Sequence, residues 1–244
     1  MQTVGIIIPA RYESSRFPGK PLSMIAGKTL IQRTWEQCTE VGNVDAVFVA
    51  TDDPRIVNHL SDIGAESILT DRACLTGTDR VAEANEHLNF DLVVNVQGDE
   101  PIINPDTIAK FVDFAKNNNE SVTVAHTRIT DSTEHTSINI PKFVVSNNQK
   151  LIYASRSAVP RAKDDAPTVC FKQVGIYGLP RCYLREFYAS KQKKPIEQIE
   201  DIEVLRFIEM GVPVLSKEVE GGNIAVDTSL DIHKVVDFLE GSVS

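Results

Sequence analysis

Apolar runs without polar alternation, each followed within a few residues by a segment of helical periodicity, fill the first half of the chain and narrow its possible architectures. Val4-Gly5-Ile6-Ile7-Ile8 is apolar and mostly β-branched at every position but the glycine, the pattern of a parallel strand buried on both faces. From about Thr29, Leu30, Ile31, Thr34, Trp35 and Cys38 share one helical face. Val44 to Ala50 is a second strand. Asp53-Pro54 then opens a helix, capped by the aspartate and started by the proline, with Ile56, Val57, Leu60 and Ile63 on its buried face and Gly64 at its end. Ser67 to Leu69 is a short strand, Asp79 to Leu88 a helix, Asp91 to Val96 a strand, and Pro105 to Asn117 a helix closed by three asparagines. Crossovers this short predict a mostly parallel sheet with helices on both faces.

The pattern changes after that helix. Ser121 to Arg128, Phe143 to Ser146, Leu151 to Ala154 and Val169 to Tyr177 read as consecutive strands, the middle two joined at Asn147-Asn148. They predict an antiparallel addition that reaches across the sheet or to a partner subunit. Helices follow at Arg181 to Ala189 and, as one acid-rich amphipathic element, Ile196 to Met210. A strand from Val212 to Glu218 and a helix from Leu230 to Leu239 finish the chain. Neither a repeat nor a linker interrupts it, so residues 1–244 are expected to form one α/β unit.

Charge and residue usage exclude several function classes. A net charge of −9 repels nucleic acid, so phosphate binding has to be local. No apolar run approaches the roughly 20 residues of a membrane helix, so no membrane insertion is expected. The four cysteines, Cys38, Cys74, Cys170 and Cys182, show no CxxC spacing, and the five histidines form no HxxxH or HxH pair. Free thiols in a reducing compartment follow, rather than zinc or disulfides. A strand close behind Met1 leaves no room for a secretory signal, so the expected location is the cytoplasm.

Ligands of open parallel sheets bind beyond the carboxyl ends of the strands. After the first strand comes Pro9 to Leu22, in which Arg11, Arg16 and Lys20 accompany Ser14, Ser15 and Gly19. Forked arginine donors, a lysine point charge and a glycine for close backbone approach suit a polyphosphate. The loop is neither a GxxxxGK[ST] phosphate loop nor a GxGxxG dinucleotide fingerprint. Past the fourth strand, Gln97-Gly98-Asp99-Glu100-Pro101 offers a carboxylate pair of the kind that binds magnesium alongside phosphate, though a turn or helix cap would use the same residues. Asp227, after a short apolar segment, is a weaker candidate of the same kind, and Asp52-Asp53 is better explained as a cap. Thr76-Gly77-Thr78-Asp79-Arg80 sets amides and hydroxyls at a helix start, facing a base or phosphate or serving as an ordinary cap. Of the acidic helix, Glu197, Glu200, Asp201, Glu203 and Glu209 read mostly as a solvated face, with pocket-side members able to accept sugar hydroxyls. Arg156, Tyr153 and Tyr177 are candidates for a sugar-acid pocket, though both tyrosines suit the core better.

Taken in order, the stretches IIPARYESSRFPGKPL, VATDD, TGTDR, VNVQGDEP, YASRSAVP, VGIYG and VDT resemble the CMP-Kdo synthetases, the 3-deoxy-manno-octulosonate cytidylyltransferases, over nearly the whole chain. The first and fourth are the most specific. The resemblance implies a Rossmann-like nucleotidyltransferase fold, a homodimer, CTP as donor, Mg²⁺ as cofactor, and an insertion at about 121–195 for sugar binding and dimerisation. It places Ala10, Arg11, Ser14, Arg16, Lys20 and Arg80 on the nucleotide, with Thr76, Gly77, Thr78 and Gln97 near cytosine. Asp99 and Asp227 become the metal ligands, and Arg156, Gln173, Tyr177, Glu200 and Glu203 the sugar-side residues. The implied catalytic set is Arg11, Lys20, Asp99 and Asp227, for attack of the anomeric hydroxyl of a small ulosonic acid on the α-phosphorus of CTP. The product would feed lipopolysaccharide assembly.

Departures from the family pattern gather on the sugar side. Gln173 stands where a histidine is usual, Leu179 and Arg161 where aromatics are common, and Val204 where a polar amide is usual. A site that loses such donors discriminates differently among hydroxylated acceptors. An amino- or deoxy-variant of Kdo is therefore the alternative acceptor. A nucleotide-binding regulator without catalysis is a further alternative, opposed by the presence of Lys20 and both aspartates. A nucleotidyltransferase for sugar 1-phosphates is another, opposed by the glycine-poor opening loop.

Overall fold

The strand Val4–Ala10 (β1) is buried at all seven positions and lies between two parallel neighbours, which makes it the axis of the sheet. The computed structural model describes residues 2–13, 17–163, 169–221 and 224–241. After β1 come a 3-10 turn (Lys20–Leu22), a small hairpin of β2 (Met24–Ile25) and β3 (Lys28–Thr29), and helix α1 (Leu30–Thr39). The alternation continues through β4 (Ala46–Thr51), α2 (Pro54–Asp62), β5 (Ser67–Leu69), α3 (Gly77–Leu88), β6 (Leu92–Val96) and α4 (Pro105–Asn117). The second half holds β7 (Val122–Arg128), α5 (Ser132–Thr136), β8 (Lys142–Val145), β9 (Leu151–Ser155) and β10 (Phe171–Pro180). It ends with α6 (Arg181–Ala189), α7 (Pro195–Glu200), α8 (Val204–Glu209), β11 (Val214–Glu218) and α9 (Ser229–Leu239).

The sheet order is β11-β7-β10-β6-β1-β4-β5, with β8 and β9 attached beside β10. Every pairing along that path is parallel except those of β10, which runs antiparallel to both β6 and β7. This is a mostly parallel, Rossmann-like sheet with an antiparallel element, and the antiparallel strand lies inside the sheet rather than at its edge. The β8–β9 hairpin joins through Phe143, opposite Phe171 at the start of β10.

Period-two alternation in β1 feeds the two faces. Ile6 and Ile8 pack with Ile31, Ile56 and Phe111 of α1, α2 and α4, whereas Ile7 packs with Val81, Phe187 and Phe207 of α3, α6 and α8. Local chemistry starts the helices where the sequence expects them. Thr29, Asp53, Thr76 and Asn104 each accept an amide of the first turn, and Pro54 and Pro105 begin α2 and α4. Among the described residues no helix is long and apolar enough to cross a membrane.

One expectation is corrected. Ile196 to Met210 is not a single helix but α7 and α8, separated at Asp201, whose φ of 52° is left-handed. The break is held from outside, since Arg156 donates to the Asp201 carbonyl at 2.9 Å and Lys193 to its carboxylate at 2.5 Å. Nor is the acidic run a uniformly solvated face, because Glu197 is fully buried.

A buried histidine links β7 to β11. His126 Nδ1 lies 2.6 Å from Ser216 Oγ, and its ring meets Phe171 edge-on at 4.6 Å. Burial lowers its pKa from 6.5 to about 4, against the upward pull of Glu218 and helped by Arg128. Below pH 6.5 the unfolded chain therefore takes up a proton that the folded chain refuses until about pH 4. Stability from this site is complete above pH 6.5 and is lost as pH falls through that window. Urea unfolding from pH 7 to 4.5 should show a shallower loss of stability in His126→Asn than in the parent; equal slopes would rule this histidine out as the source.

Candidate active site

Strand order reverses at β1, because β4 and β5 follow on one side and β6 lies on the other. Doubly wound sheets leave a crevice at that point, beyond the carboxyl ends of the strands. Here it is a cleft of about 250 Å³ between Pro9 and Ala10 at the end of β1 and Gln97, Gly98 and Asp99 after β6. A glycine permits the close approach. A Cβ on Gly98 would lie 2.7 Å from the Pro9 carbonyl oxygen, forcing the two strand ends apart.

Arg11 and Lys20 line one wall of the cleft, while Ser14 and Arg16 lie outside the described residues. Lys20 Nζ donates to Asp99 Oδ2 at 2.9 Å and to the Val226 carbonyl at 2.8 Å. The amide of Val226 in turn donates to the Asp99 carbonyl at 2.9 Å, which brings Asp227 beside Asp99 at the cleft wall. The neighbouring carboxylate behaves differently. Glu100 is buried, accepts the Gly175 amide at 3.2 Å, and is pushed up to about 7 by burial and by Asp99. The acidic pair read from the sequence thus divides into Asp99 at the cleft and Glu100 beneath it.

Asp99 and Asp227 supply hard oxygen donors, and the cysteine on the cleft wall offers no thiolate in competition. Burial and Glu83 push the Cys74 thiol up to about 12. Among the described residues no three His, Cys, Asp or Glu side chains gather into a metal-holding cluster. Two carboxylates with the remaining positions left to ligand oxygens is the donor set expected of a hard divalent cation shared with phosphate, and the residues fit that role.

The opposite wall is the start of α3. Its first amides are already taken, because the Glu203 carboxylate accepts Gly77 N at 3.0 Å, Thr78 N at 2.9 Å and the Thr78 hydroxyl. Burial raises the pKa of Glu203 against the pull of those donors. Thr76 and Gly77 face the cleft, and Thr78 is buried behind them. Arg80 reaches the cleft but commits its guanidinium to Asp52 at 2.9 Å and Thr70 at 2.6 Å. Asp52 is therefore an ion-pair partner, and Asp53 alone is the cap of α2.

Behind this wall lies Arg206, fully buried with its guanidinium over the Phe187 ring at 3.7 Å. It donates to both Glu197 oxygens at 2.7 Å and to the two Asp79 oxygens at 2.8 and 3.1 Å. Two forked carboxylate pairs on one cation tie α7, α8 and the first turn of α3 together.

The sugar-side candidates are less unified. Glu203 lines the cleft, but Arg156, Gln173, Tyr177 and Glu200 do not. Arg156 spends its donors on the carbonyls of Ile138, Glu200 and Asp201, and Glu200 accepts from Tyr153, Ser155 and the Arg156 amide. Gln173 donates through Nε2 to the Tyr177 hydroxyl, and its Oε1 is buried without a partner. Leu179 and Val204 are fully buried in the apolar core, so neither reaches a ligand. Lys193 also lines the cleft, paired with Asp201; in sequence it is hidden in a run of lysines that reads as solvated.

A lysine and two aspartates lining the switch-point cleft of such a sheet suit phosphate and a divalent cation, and the family match makes the chain a nucleotidyltransferase. The chain belongs to the cytidylyltransferase family, whose sequence profile it matches over residues 5–219. It is 38% identical over 234 residues to the 3-deoxy-manno-octulosonate cytidylyltransferase of Myxococcus xanthus, covering 94% of this chain and 93% of that one. Against the enzyme of the same description from Trichlorobacter lovleyi it is 40% identical over 246 residues, covering 96% and 97%. The solved structure of CMP:2-keto-3-deoxy-manno-octonic acid synthetase complexed with CTP superposes with a TM-score of 0.91 at 33% identity, over 99% of this chain and 100% of that one. A glucose-1-phosphate thymidylyltransferase structure from Bacillus anthracis shares the fold, with a TM-score of 0.69 at 16% identity.

Removing Arg206 would leave two buried carboxylates facing each other. Arg206→Ala should lower the unfolding free energy by about 3–5 kcal/mol, the range for breaking a buried pair. Urea denaturation measures it, and a loss below about 1 kcal/mol, the scale of an exposed pair, would mean that the site is solvated.

Proposed function

We propose that the chain transfers CMP from CTP to the anomeric hydroxyl of 3-deoxy-manno-octulosonate, with Mg²⁺ as the cation, giving CMP-Kdo and pyrophosphate. The observation that carries this reading is the meeting of Lys20, Asp99 and Asp227 at the strand switch point. Identity of 38–40% to curated enzymes of that description over nearly the whole chain supports it. In the reaction the acceptor oxygen bonds to the α-phosphorus, the bond from that phosphorus to the β-phosphate oxygen breaks, and the hydroxyl proton passes to solvent.

Displacement at phosphorus depends on alignment and charge neutralisation more than on covalent help. Arg11 and Lys20, with Arg16 and Ser14 of the same loop, hold the triphosphate and balance the charge of departing pyrophosphate. Lys20 would exchange Asp99 for phosphate as nucleotide enters, which frees that carboxylate for the cation. Asp99 and Asp227 would hold Mg²⁺, which when bound would neutralise charge on the α-phosphate and acidify the attacking hydroxyl. Gln97, Thr76 and Gly77 face cytosine, in a turn stiffened by the bonds of Glu203 to Gly77 and Thr78.

Residues 1–244 act as one cytidylyltransferase domain, in which about 121–195 serve acceptor binding and homodimerisation. The exposed apolar side chains of Ile138 and of Ile152 on β9, both within that span, support the latter. The cytoplasm, which supplies CTP, is the proposed compartment, and lipopolysaccharide assembly the proposed use of the product.

A second reading changes only the acceptor, to an amino- or deoxy-variant of Kdo. It is favoured by Gln173, whose buried Oε1 lacks a donor where the family often carries histidine. Pyrophosphate release with CTP, Mg²⁺ and a panel of ulosonic acids tests both readings. Kdo should give the highest kcat/KM; a variant exceeding it by tenfold or more would replace it, and no release with any acceptor despite CTP binding would sink the enzyme reading.

Loss of one metal carboxylate should strike the transition state harder than the ground state. Asp227→Ala is expected to lower kcat by about 10²–10³ while changing the CTP dissociation constant by less than about tenfold, the pattern of an interaction made mainly in the transition state. Unchanged turnover would remove Asp227 from the reaction.

A further inference from the structure

The nucleotide loop leaves the sheet at Ala10 and comes back to the cleft at Lys20, and something must fix the separation of Arg11 and Lys20 across that excursion. Tyr12 touches both of its ends. Its carbonyl accepts the Gly19 amide at 2.9 Å, and its ring lies so close that a Cβ on Gly19 would come within 3.2 Å of it. Gly19 adopts a φ of +71°, a conformation that leaves space for the ring and turns the chain into the Lys20–Leu22 turn. The Tyr12 amide donates to Asp52 Oδ1 at 3.3 Å, and the half-buried ring packs against the core.

The outer face of the ring is covered by a cation held in a fixed pose. Arg55 Cζ stands 3.3 Å from the Tyr12 ring centroid. Its guanidinium is gripped by Asp53, with Nε donating to Oδ1 at 2.8 Å and a terminal nitrogen to Oδ2 at 2.6 Å. Asp53 is 5% exposed and also caps α2 through the Arg55 amide at 2.9 Å. A guanidinium stacked on an aromatic face is an attractive arrangement, and a forked carboxylate removes much of its entropy loss. The connection from β4 to α2 therefore reaches over to the loop that follows β1.

We propose that Tyr12 and Arg55 are positioning residues for nucleotide binding, a clamp that sets the spacing of Arg11 and Lys20 before the triphosphate arrives. Neither residue touches the nucleotide in this scheme. Their effect is preorganisation, which lowers the ordering cost of the loop on binding. The proposal rests on the reading of the cleft as a CTP site.

Isothermal titration of the full-length parent with CTP and Mg²⁺ comes first, since failure of the parent to bind CTP overturns the reading of the cleft rather than the clamp. Given parent binding, Tyr12→Ala should weaken CTP about tenfold, roughly the scale of one cation–π contact plus a released loop. Tyr12→Phe, which keeps the ring, should restore binding to within about twofold of the parent, and Arg55→Ala should weaken it about threefold to tenfold, a range set by one cation–π contact. KM for CTP should rise in the same order while kcat at saturating CTP changes less than about threefold, the signature of lost ground-state binding. Arg55 is surface-exposed, so its variant folds even if Tyr12→Ala does not. CTP binding within twofold of the parent in Arg55→Ala, or Tyr12→Phe as weak as Tyr12→Ala, would overturn the clamp.

Discussion

One buried cation organises the wall on which the site depends. Arg206 has no solvent to fall back on, and its donors are matched by the carboxylates of Glu197 and Asp79. Such a centre adds little stability over a well-packed apolar one, but it tolerates few alternative geometries. Asp79 lies in the first turn of α3 and Glu197 in α7, so satisfying Arg206 fixes where Thr76 and Gly77 face the cleft. Glu203, three residues before the arginine, fastens the same turn through its amides. The nucleotide-facing wall is thus built by residues that need not touch the nucleotide.

Much of this was legible in the sequence, and the reasons differ by element. β1 and β6 announce themselves because burial on both faces requires unbroken apolar runs. Asp53 and Thr76 announce helix starts because capping is local chemistry. The break at Asp201 was not legible. Ile196 to Met210 suits a helix at nearly every position, and what overrides that preference comes from Arg156, far away in sequence, and from Lys193. Glu197 and Arg206 are nine residues apart and could not meet on an unbroken helix; the same break makes their pairing possible.

The site divides along the same line. Arg11, Lys20 and Asp99 lie in the segments that follow β1 and β6, where topology predicts ligand contact, whereas Asp227 is weak by position and is raised by the family resemblance; all four line one cleft. Partners of the sugar-side residues come from distant segments, and no spacing rule reveals that Arg156 is consumed by three backbone carbonyls. Of the departures from the family pattern, Leu179 and Val204 vanish into the core. Gln173, hydrogen-bonded to Tyr177, keeps an unsatisfied oxygen.

The antiparallel strand inside the sheet has a consequence for how the chain is made. Val96 of β6 finds its partner Ile176 only after about 80 further residues have been synthesised. At ribosomal rates of about 5–20 residues per second, that interval is roughly 4–16 seconds. Throughout it, a strand whose every side chain ends up buried presents an open hydrogen-bonding edge. The nascent chain is therefore most prone to mispairing with a neighbour in that interval, and the β8–β9 hairpin, emerging just before β10, becomes the last guide for closing the gap.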